Sequence, residues 1–392
     1  MNKSKKNIYI LVFVLFVVML GYGIIIPILP FYIENMGAGG TELGLLVALY
    51  AVTRLIFGPF WGGLSDRVGR KPILLIGIMG YSLTMIWFGL ATRLWMLFAA
   101  RILSGILSSA TAPTTMAFIG DSTPEKERSS GMGMLGSAGG IGTIIGPALG
   151  GLTAGESLST PFFIAAGLSL ISLFLAILFL PESLRNVTTG ERKEKEKLID
   201  LNRWLPAIKR PIIYFLILTF ISTSGLMIFA NVFGLYVIEK YQFRPDDVGM
   251  MLMVLGGTSA LAQGLLAGPL TRKCGEGSII KIGMIASSLG LFLMLLADTY
   301  LSIMLTTAFF GLTIALIAPS LSSVISQYAT IPQGTVMGLN NSFVSLGRIV
   351  GPIIGGLTLD INLDIPYIIG GGFMLLGFLV SMLTMKSTIS QW

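Results

Sequence analysis

The sequence contains no histidine, one cysteine and few charged residues. Asp, Glu, Lys and Arg make up 11% of its 392 residues, whereas a soluble globular domain carries about 25%. Without histidine the commonest general base and metal ligand are missing, and the single Cys274 can form neither an internal disulfide nor a thiolate cluster. The sequence also has no P-loop. It therefore argues against a soluble enzyme, a metal or redox centre and direct use of ATP, and we expect no cofactor.

Hydrophobic residues make up 54% of the chain and occur in repeated runs. Each run has roughly 20 residues, enough for a helix to cross a hydrocarbon core of about 30 Å. The pattern predicts an all-α membrane protein with twelve transmembrane helices. The predicted spans are 8–33, 43–63, 72–91, 95–117, 133–155, 161–180, 211–237, 248–270, 279–297, 301–323, 335–357 and 366–386.

Lysine and arginine are distributed unequally between the two sides that these spans define. Of the 26 basic residues, 19 lie at the termini and in the loops on the same side, three lie in the opposite loops, and four lie within spans. Basic residues flanking membrane spans stay on the cytoplasmic side. Both termini are therefore predicted to be cytoplasmic. The net charge of +7 is explained by these cytoplasmic basic residues. We therefore expect no nucleic-acid partner.

An internal repeat divides the chain into two halves. The segment Gly142–Leu152 returns with the same glycines and proline at Gly347–Leu357, and Leu64–Gly69 returns in degraded form at Leu270–Gly275. Parallel repeats of this kind are typical of transporters with a substrate site near the bilayer midplane. We predict two six-helix bundles, related by pseudo-two-fold symmetry, at 1–180 and 211–392. A charged cytoplasmic linker, 181–210, joins them.

The segment from Gly62 to Lys71, GGLSDRVGRK, lies between the second and third spans. It resembles the signature loop of the major facilitator superfamily, in which this loop is a conformational latch. The resemblance assigns that role to Asp66, with Arg70 and Asp121 as partners. The complete set of predicted latch residues is Gly62, Asp66, Arg67, Gly69, Arg70 and Lys71. The alternative is that the basic residues only anchor the topology.

Two more segments resemble motifs of drug/proton antiporters in that superfamily. One is LFAARILSG at 97–105, with Arg101 at the family position, and the other is the glycine ladder of the fifth span. Glycines four apart allow another helix to approach closely, and proline bends a helix. The predicted packing and hinge residues are Gly142, Gly146, Pro147 and Gly150, with Gly351 and Pro352 in the repeat. The sequence resembles bacterial multidrug efflux pumps and tetracycline exporters, and this resemblance implies a cell (inner or plasma) membrane.

One departure from those relatives concerns acidic residues. Several relatives place an Asp or Glu within the first, seventh or tenth span, but here the corresponding positions are Val18, Ala230 and Ala315. No carboxylate is predicted deep within a span. The remaining candidates for proton coupling are Glu34, at the outer end of the first span, and Asp121, at the inner end of the fourth. Arg101 joins them because of its family position.

Three arginines lie within predicted spans: Arg54, Arg101 and Arg348. Each costs about 2.5–3.5 kcal/mol at a helix centre on insertion scales, so such residues face a cavity or another helix rather than lipid. They favour an anionic or acceptor-rich substrate, unless Arg101 is conformational and Arg348 bonds helix carbonyls. The predicted substrate-binding residues are Arg54, Tyr50, Arg101, Asn231, Phe233, Gln263, Asn340, Asn341 and Arg348. Helix packing is the alternative role of the amides.

These observations predict a secondary active exporter and not an enzyme. The resemblance implies efflux of small hydrophobic or amphipathic compounds, coupled to protons and working by alternating access. The alternative within transport is a dedicated exporter of an anionic metabolite, siderophore or lipid. The expected partners are a small-molecule substrate, protons and the lipid bilayer, and the protein is expected to be a monomer.

Overall fold

The computed structural model describes residues 3–123, 125–155, 157–183, 212–329 and 333–389. Within these ranges it has no β-strand and twelve helices long and apolar enough to cross a membrane. The predicted fold class is therefore confirmed. The helices are α1 Lys3–Glu34, α2 Gly40–Val68, α3 Arg70–Gly89, α4 Leu94–Ser122, α5 Glu125–Thr153, α6 Thr160–Phe179, α7 Ile212–Tyr241, α8 Pro245–Cys274, α9 Glu276–Leu296, α10 Tyr300–Gln327, α11 Gln333–Leu359 and α12 Ile365–Ile389.

All twelve predicted spans coincide with these helices, but several helices are longer than predicted. The difference that bears on the predicted latch is at α2, which continues through Gly62 to Val68. The predicted signature loop is thus the last turns of α2, and only Gly69 separates α2 from α3. Gly69 has φ +114°, ψ 153°, a conformation open almost only to glycine. The prediction of a loop was wrong because hydrophobicity fades at the membrane boundary, whereas a helix continues until the backbone is interrupted.

Helices α4 and α10 are each interrupted at equivalent positions. Helix α4 consists of Leu94–Ser108 and Thr111–Ser122, and α10 consists of Tyr300–Ile314 and Ile317–Gln327. Each second segment contains a proline, Pro113 in α4 and Pro319 in α10. Proline has no N–H to bond the carbonyl four residues earlier, and its ring crowds that carbonyl. The interruption is therefore a consequence of the repeated proline.

The chain groups into two compact units. The first consists of Met1–Arg185, Ala230–Gly256 and Pro352–Leu363, and the second of Asn186–Phe229, Gly257–Gly351 and Asp364–Trp392. The first unit thus combines α1–α6 with the ends of α7, α8 and α11 that lie opposite the termini. Most of the predicted linker 181–210 lies outside the described residues, and the division into bundles at 1–180 and 211–392 stays a prediction.

Within the first unit, apolar side chains of α1, α3, α4, α5 and α6 form a buried core. Leu11, Leu74 and Phe118 in this core are completely buried. Two reciprocal hydrogen bonds tie α3 to α6: Ser82 Oγ donates to the Ala166 carbonyl at 3.1 Å, and Ser169 Oγ donates to the Ile78 carbonyl at 3.1 Å. Hydrogen bonds between helices hold them in register where lipid provides no hydrophobic drive for association. This framework positions α2 and α4, which carry the polar residues described below.

Candidate functional site

Three charged side chains meet where α2, α3 and α4 end or begin on the side of the termini. Arg70 Nη1 lies 2.5 Å from Asp66 Oδ1, and Arg70 Nε lies 2.9 Å from Asp121 Oδ2. Arg70 Nη1 also donates to Ser65 Oγ at 2.7 Å. The side chain of Arg70 is 9% exposed, whereas those of Asp66 and Asp121 are 60% and 34% exposed. The structure thus brings together the three residues predicted to form the latch.

Glu182, just after α6, attaches to the same corner. Its carboxylate accepts hydrogen bonds from the backbone N–H of Arg70 at 2.9 Å and of Lys71 at 3.1 Å. These N–H groups begin α3 and have no acceptor within the helix, so the carboxylate caps α3 at the positive end of its dipole. Lys71 Nζ donates to the Ile177 carbonyl at 2.8 Å. Glu182 was not among the predicted residues, because its position next to α3 arises from the packing of α6 on α3.

We call Asp66, Arg70, Asp121 and Glu182 the corner cluster. All the contacts given above lie within residues 65–182, so they tie the ends of α2, α3, α4 and α6 to one another. The other predicted latch residues, Gly62, Arg67 and Gly69, lie in or directly after the last turns of α2. The role of all these residues in gating stays a prediction.

The buried arginine of α4 lies among aromatic rings. Arg101 is 4% exposed, and its Cζ lies 5.5 Å from the ring centroid of Tyr50 and 5.4 Å from that of Phe88. Its Nε has no hydrogen-bond partner among the described residues. No carboxylate of the described residues forms an ion pair with Arg101. Cation–π contact therefore stabilises the guanidinium, and none of the described carboxylates compensates its charge.

Tyr50 connects Arg101 to the second arginine. Its hydroxyl lies 3.4 Å from Ser108 Oγ and accepts a hydrogen bond of 3.4 Å from Arg54 Nη1. Its ring stacks on that of Tyr22, with centroids 5.8 Å apart. The structure thus brings together Tyr50, Arg54 and Arg101, three of the predicted substrate-binding residues.

Tyr81 of α3 completes this group. Its hydroxyl is buried and has no hydrogen-bond partner among the described residues. The hydroxyl occupies the space that a side chain at Gly21 would fill. Sequence reasoning missed Tyr22, Tyr81 and Ser108. A polar side chain within an apolar span is the available signal, and all three residues carry it. We call Tyr22, Tyr50, Arg54, Tyr81, Arg101 and Ser108 the tyrosine–arginine cluster.

The predicted substrate-binding residues of the second half lie in several places. Asn231 Nδ2 donates to the Pro352 carbonyl at 3.4 Å, and its Oδ1 has no partner among the described residues. Asn340 Oδ1 accepts from Thr219 at 3.0 Å, so it joins α11 to α7. Phe233 is fully buried. The residues that remain, Gln263, Asn341 and Arg348, are exposed on their helices. Asn231 and Asn340 therefore have helix-packing partners, and substrate contact by any of these residues stays a prediction.

Gln263 lies in an irregular turn. Residues Ala262–Leu266 form a π-helical segment within α8. Such segments are rare and occur frequently at functional sites. Because a π turn adds a residue to one turn, it changes which side chains share a face of α8. No pattern in the sequence indicates this turn.

The two carboxylates predicted for proton coupling differ in their surroundings. Asp121 belongs to the corner cluster and pairs with Arg70. Glu34 is the exposed last residue of α1. Their part in coupling stays a prediction. Among the described residues, no group of three or more His, Cys, Asp or Glu side chains could hold a metal ion.

The predicted glycine ladder packs α5 against α1. A Cβ added at Gly142, Gly146 or Gly150 would lie 2.5–2.7 Å from a backbone carbonyl oxygen of α1. Gly351 makes the equivalent approach of α11 to α7, where a Cβ would lie 2.7 Å from the Ser224 carbonyl oxygen. Backbone atoms cannot move aside as side chains can, so these positions require glycine for packing. A hinge role for Pro147 and Pro352 stays a prediction.

In the part of the chain that the structure describes, twelve helices are long and apolar enough to cross a membrane, and polar groups are buried between them. Together with the parallel internal repeat, these features are typical of a transporter. The family model of the Major Facilitator Superfamily matches residues 11–262 and 215–390. The chain belongs to this superfamily. It is a multi-pass membrane transporter of small molecules, not an enzyme.

Curated relatives match nearly the whole chain. Multidrug resistance protein 2 of Bacillus subtilis strain 168 is 34% identical over 387 residues, which cover 97% of this chain and 96% of that protein. The quinolone resistance protein NorA of Staphylococcus aureus strain COL is 30% identical over 376 residues, 96% of each chain.

Two solved structures show the same fold at low identity. A bacterial homolog of the human lysosomal transporter Spinster, in an inward-facing and occupied conformation, has a TM-score of 0.82 at 13% identity, covering 97% of this chain and 96% of that one. The nucleoside transporter NupG has a TM-score of 0.80 at 15% identity, covering 98% and 100%.

Proposed function

We propose that the protein exports small hydrophobic or amphipathic compounds of several kinds, by proton-coupled alternating access. The similarity over the whole chain to proteins named for multidrug and quinolone resistance carries this proposal. The tyrosine–arginine cluster supports it, because aromatic faces and a few polar groups suit ligands of varied shape. The charge asymmetry of the loops supports a cytoplasmic position for both termini. A single chain carries both six-helix halves, so we propose that the monomer is the transporting unit.

The proposed coupling uses carboxylates at helix ends rather than within spans. Asp121 is held by Arg70, so protonation of Asp121 would remove one of the two ion pairs of the corner cluster. Loss of that pair would bias the helix ends toward another arrangement. Glu34 is the second candidate. Proton binding and substrate binding would thereby favour opposite openings of the transporter.

The test is transport by the purified full-length protein in liposomes with an imposed pH gradient. An amphipathic cationic dye and an anionic fluorophore are followed side by side, with protein-free liposomes as the control. We expect the dye to move against its own gradient only while the pH gradient lasts. Dye movement that persists after a protonophore collapses the gradient contradicts proton coupling but leaves transport standing.

One observation favours a second function, the export of an anionic compound. Arg101 has no carboxylate partner among the described residues, and Arg54 lies close by, bonded to Tyr50. A carboxylate or phosphate on the substrate would compensate the two positive charges. In this case the anionic fluorophore alone should move, and Arg54→Gln should abolish its movement while the exposed Arg93→Gln leaves it unchanged. Equal transport of anionic and neutral compounds by Arg54→Gln rules this function out.

A further inference from the structure

A carboxylate joins α11 to α2 on the side of the membrane opposite the termini. Asp360, directly after α11, accepts hydrogen bonds from the backbone N–H of Gly40 at 2.7 Å and of Thr41 at 2.9 Å. It also accepts one from the Thr41 hydroxyl. Gly40 and Thr41 begin α2, so their N–H groups have no acceptor within the helix. A residue of the second half therefore caps a helix of the first half, at the end of the dipole that favours negative charge.

Next to Asp360, α2 and α11 touch backbone to backbone. A Cβ at Gly40 would lie 2.7 Å from the carbonyl oxygen of Gly356, and one at Gly44 would overlap the carbonyl oxygen of Pro352. Glycine surfaces allow close van der Waals contact without interlocking side chains. Two such surfaces can separate and meet again without side-chain repacking.

Helices α5 and α8 form a second glycine contact that the repeat relates to the first. A Cβ at Gly249 would lie 2.5 Å from the carbonyl oxygen of Pro147 and 3.0 Å from the Cα of Gly151. Asp246 and Asp247 lie near this contact, but among the described residues neither of them bridges α5 and α8. Asp246 pairs with Arg244 at 3.4 Å, and Asp247 accepts from the Arg244 N–H at 3.0 Å. Among the described residues, a carboxylate that links the two helices is therefore found at the α2–α11 contact and not at the α5–α8 contact.

We propose that Asp360 is a gate residue that fastens α11 to α2 on the predicted outer side, and that this contact parts in every transport cycle. Asp360 is exposed and Thr41 is half-buried. Water can therefore replace each partner as the hydrogen bonds break, which keeps the free-energy cost of opening small. This inference rests on the proposed function, because a protein that works by alternating access has to open this side.

A reversible cross-link tests whether the contact parts. Thr41→Cys and Asp360→Cys are combined in a Cys274→Ser background, and the full-length protein in liposomes is oxidised. We expect the disulfide to lower transport of the dye by about tenfold or more, because it blocks one of the required states. Reduction should restore transport. Unchanged transport by a fully cross-linked protein would falsify the gate.

The matched control is a cross-link on the same side that does not join two helices. Thr299 and Ser302 lie at the start of α10, with 2.9 Å between Thr299 Oγ1 and Ser302 Oγ. Oxidising Thr299→Cys with Ser302→Cys should leave transport near the unoxidised rate. An equal loss of transport in this control assigns the effect to oxidation and overturns the inference drawn from the first pair.

Cysteine labelling tests the gate without any transported probe. In the Cys274→Ser background, a membrane-impermeant maleimide reports opening at Val248→Cys, since Val248 is completely buried at the start of α8. Asp360→Ala should raise its labelling rate several-fold, because loss of the fastening also frees the related contact. The exposed acid Asp298, replaced by Asn, is the control and should not change the rate.

The two experiments separate the possible failures. If the wild-type protein moves neither dye nor anion, the proposed function fails, and the labelling still decides whether Asp360 holds the contact closed. If the wild-type protein transports and Asp360→Ala leaves the labelling rate of Val248→Cys unchanged, the gate fails and the proposed function stands. The same labelling is measured at Thr41→Cys. If Asp360→Ala raises the labelling rate at Thr41→Cys but not at Val248→Cys, α2 frays only locally, and this result also overturns the gate.

Discussion

The corner between α2 and α3 and the corner between α8 and α9 share a backbone turn at a glycine. They differ in the charges of the side chains around that turn. Gly69 and Gly275 each separate two helices with a positive φ, +114° and +75°, and each donates its N–H to a carbonyl four residues earlier. The side chains around them differ. The first corner holds Asp66, Arg70 and Asp121, and the equivalent residues of the second are Arg272, Glu276 and Gln327.

The difference replaces ion pairs with hydrogen bonds from neutral donors to a carboxylate. Arg70 is buried and pairs with two carboxylates, whereas Glu276 accepts hydrogen bonds from Ser323 Oγ at 3.1 Å and Gln327 Nε2 at 3.0 Å. Arg272 forms no ion pair with the residues that the structure describes. The repeat thus preserves the turn, which the backbone requires, whereas among the described residues only the first corner has ion pairs. This contrast locates any charge-dependent latch at the α2–α3 corner.

The largest expected effect is that of Arg70→Gln. The change leaves two carboxylates, Asp66 and Asp121, without their shared cation, and charge-assisted hydrogen bonds contribute about 1.5–3 kcal/mol each. We expect dye transport in liposomes to fall by about tenfold or more. Glu276→Gln is the matched variant of the second corner and should retain most of its transport. Similar losses in the two variants would show that the corners are equivalent and that the comparison is wrong.

Gly69→Ala should have the next largest effect, through stability rather than charge. Both corner glycines adopt a conformation that costs another residue about 1–3 kcal/mol. An added Cβ at Gly69 would also lie 2.6 Å from Glu182 Oε2, whereas one at Gly275 meets no atom within 4 Å. Thermal unfolding in detergent should therefore show a larger decrease in midpoint for Gly69→Ala than for Gly275→Ala. The reverse order would mean that Glu182 moves aside freely.

Asp121→Asn should have a smaller effect than either change. It keeps an acceptor for Arg70 Nε at the same place and removes only the charge, which is partly exposed to solvent. We expect transport to continue with a weaker dependence on the imposed pH gradient, because Asp121 is a proposed proton site. Transport rates measured at several gradients test this. A dependence identical to that of the wild-type protein removes Asp121 from the coupling scheme.

Arg272→Gln should have the smallest effect of the series. Arg272 occupies the position of Asp66 in the second corner but makes no ion pair among the described residues. Transport and thermal midpoint should both stay within error of the wild-type values. A substantial loss of transport would reveal a partner for Arg272 in another conformation and would extend the latch to the second half.

Much of the fold and part of the site could be predicted from the sequence. The twelve spans followed from hydrophobic runs, and the family motifs identified Asp66, Arg70 and Asp121 before their contacts were known. The tight approach of α5 to α1 at Gly142, Gly146 and Gly150 followed from the spacing of the glycines. These features are local, since span length, motif spacing and glycine periodicity are each read within one segment.

Other features depended on residues far apart in the sequence. Glu182 caps α3, Tyr81 fits the space left by Gly21, and Asp360 caps α2. No local pattern in the sequence signals these pairs, because each depends on where another helix ends after packing. The length of α2 was also missed, since hydropathy reports where a helix leaves the membrane and not where it ends.

The sequence by itself determined the membrane class, the number of helices, the repeat and the residues of the α2–α3 corner. Hydrophobic length and backbone conformation are properties of a segment, so they can be read from it directly. Only the tertiary structure decided which carboxylate meets which helix end and which tyrosines surround Arg101. Those contacts arise when packed helices bring side chains from distant segments within hydrogen-bonding distance, and a polar group inside a membrane is stabilised by whichever partner that packing provides.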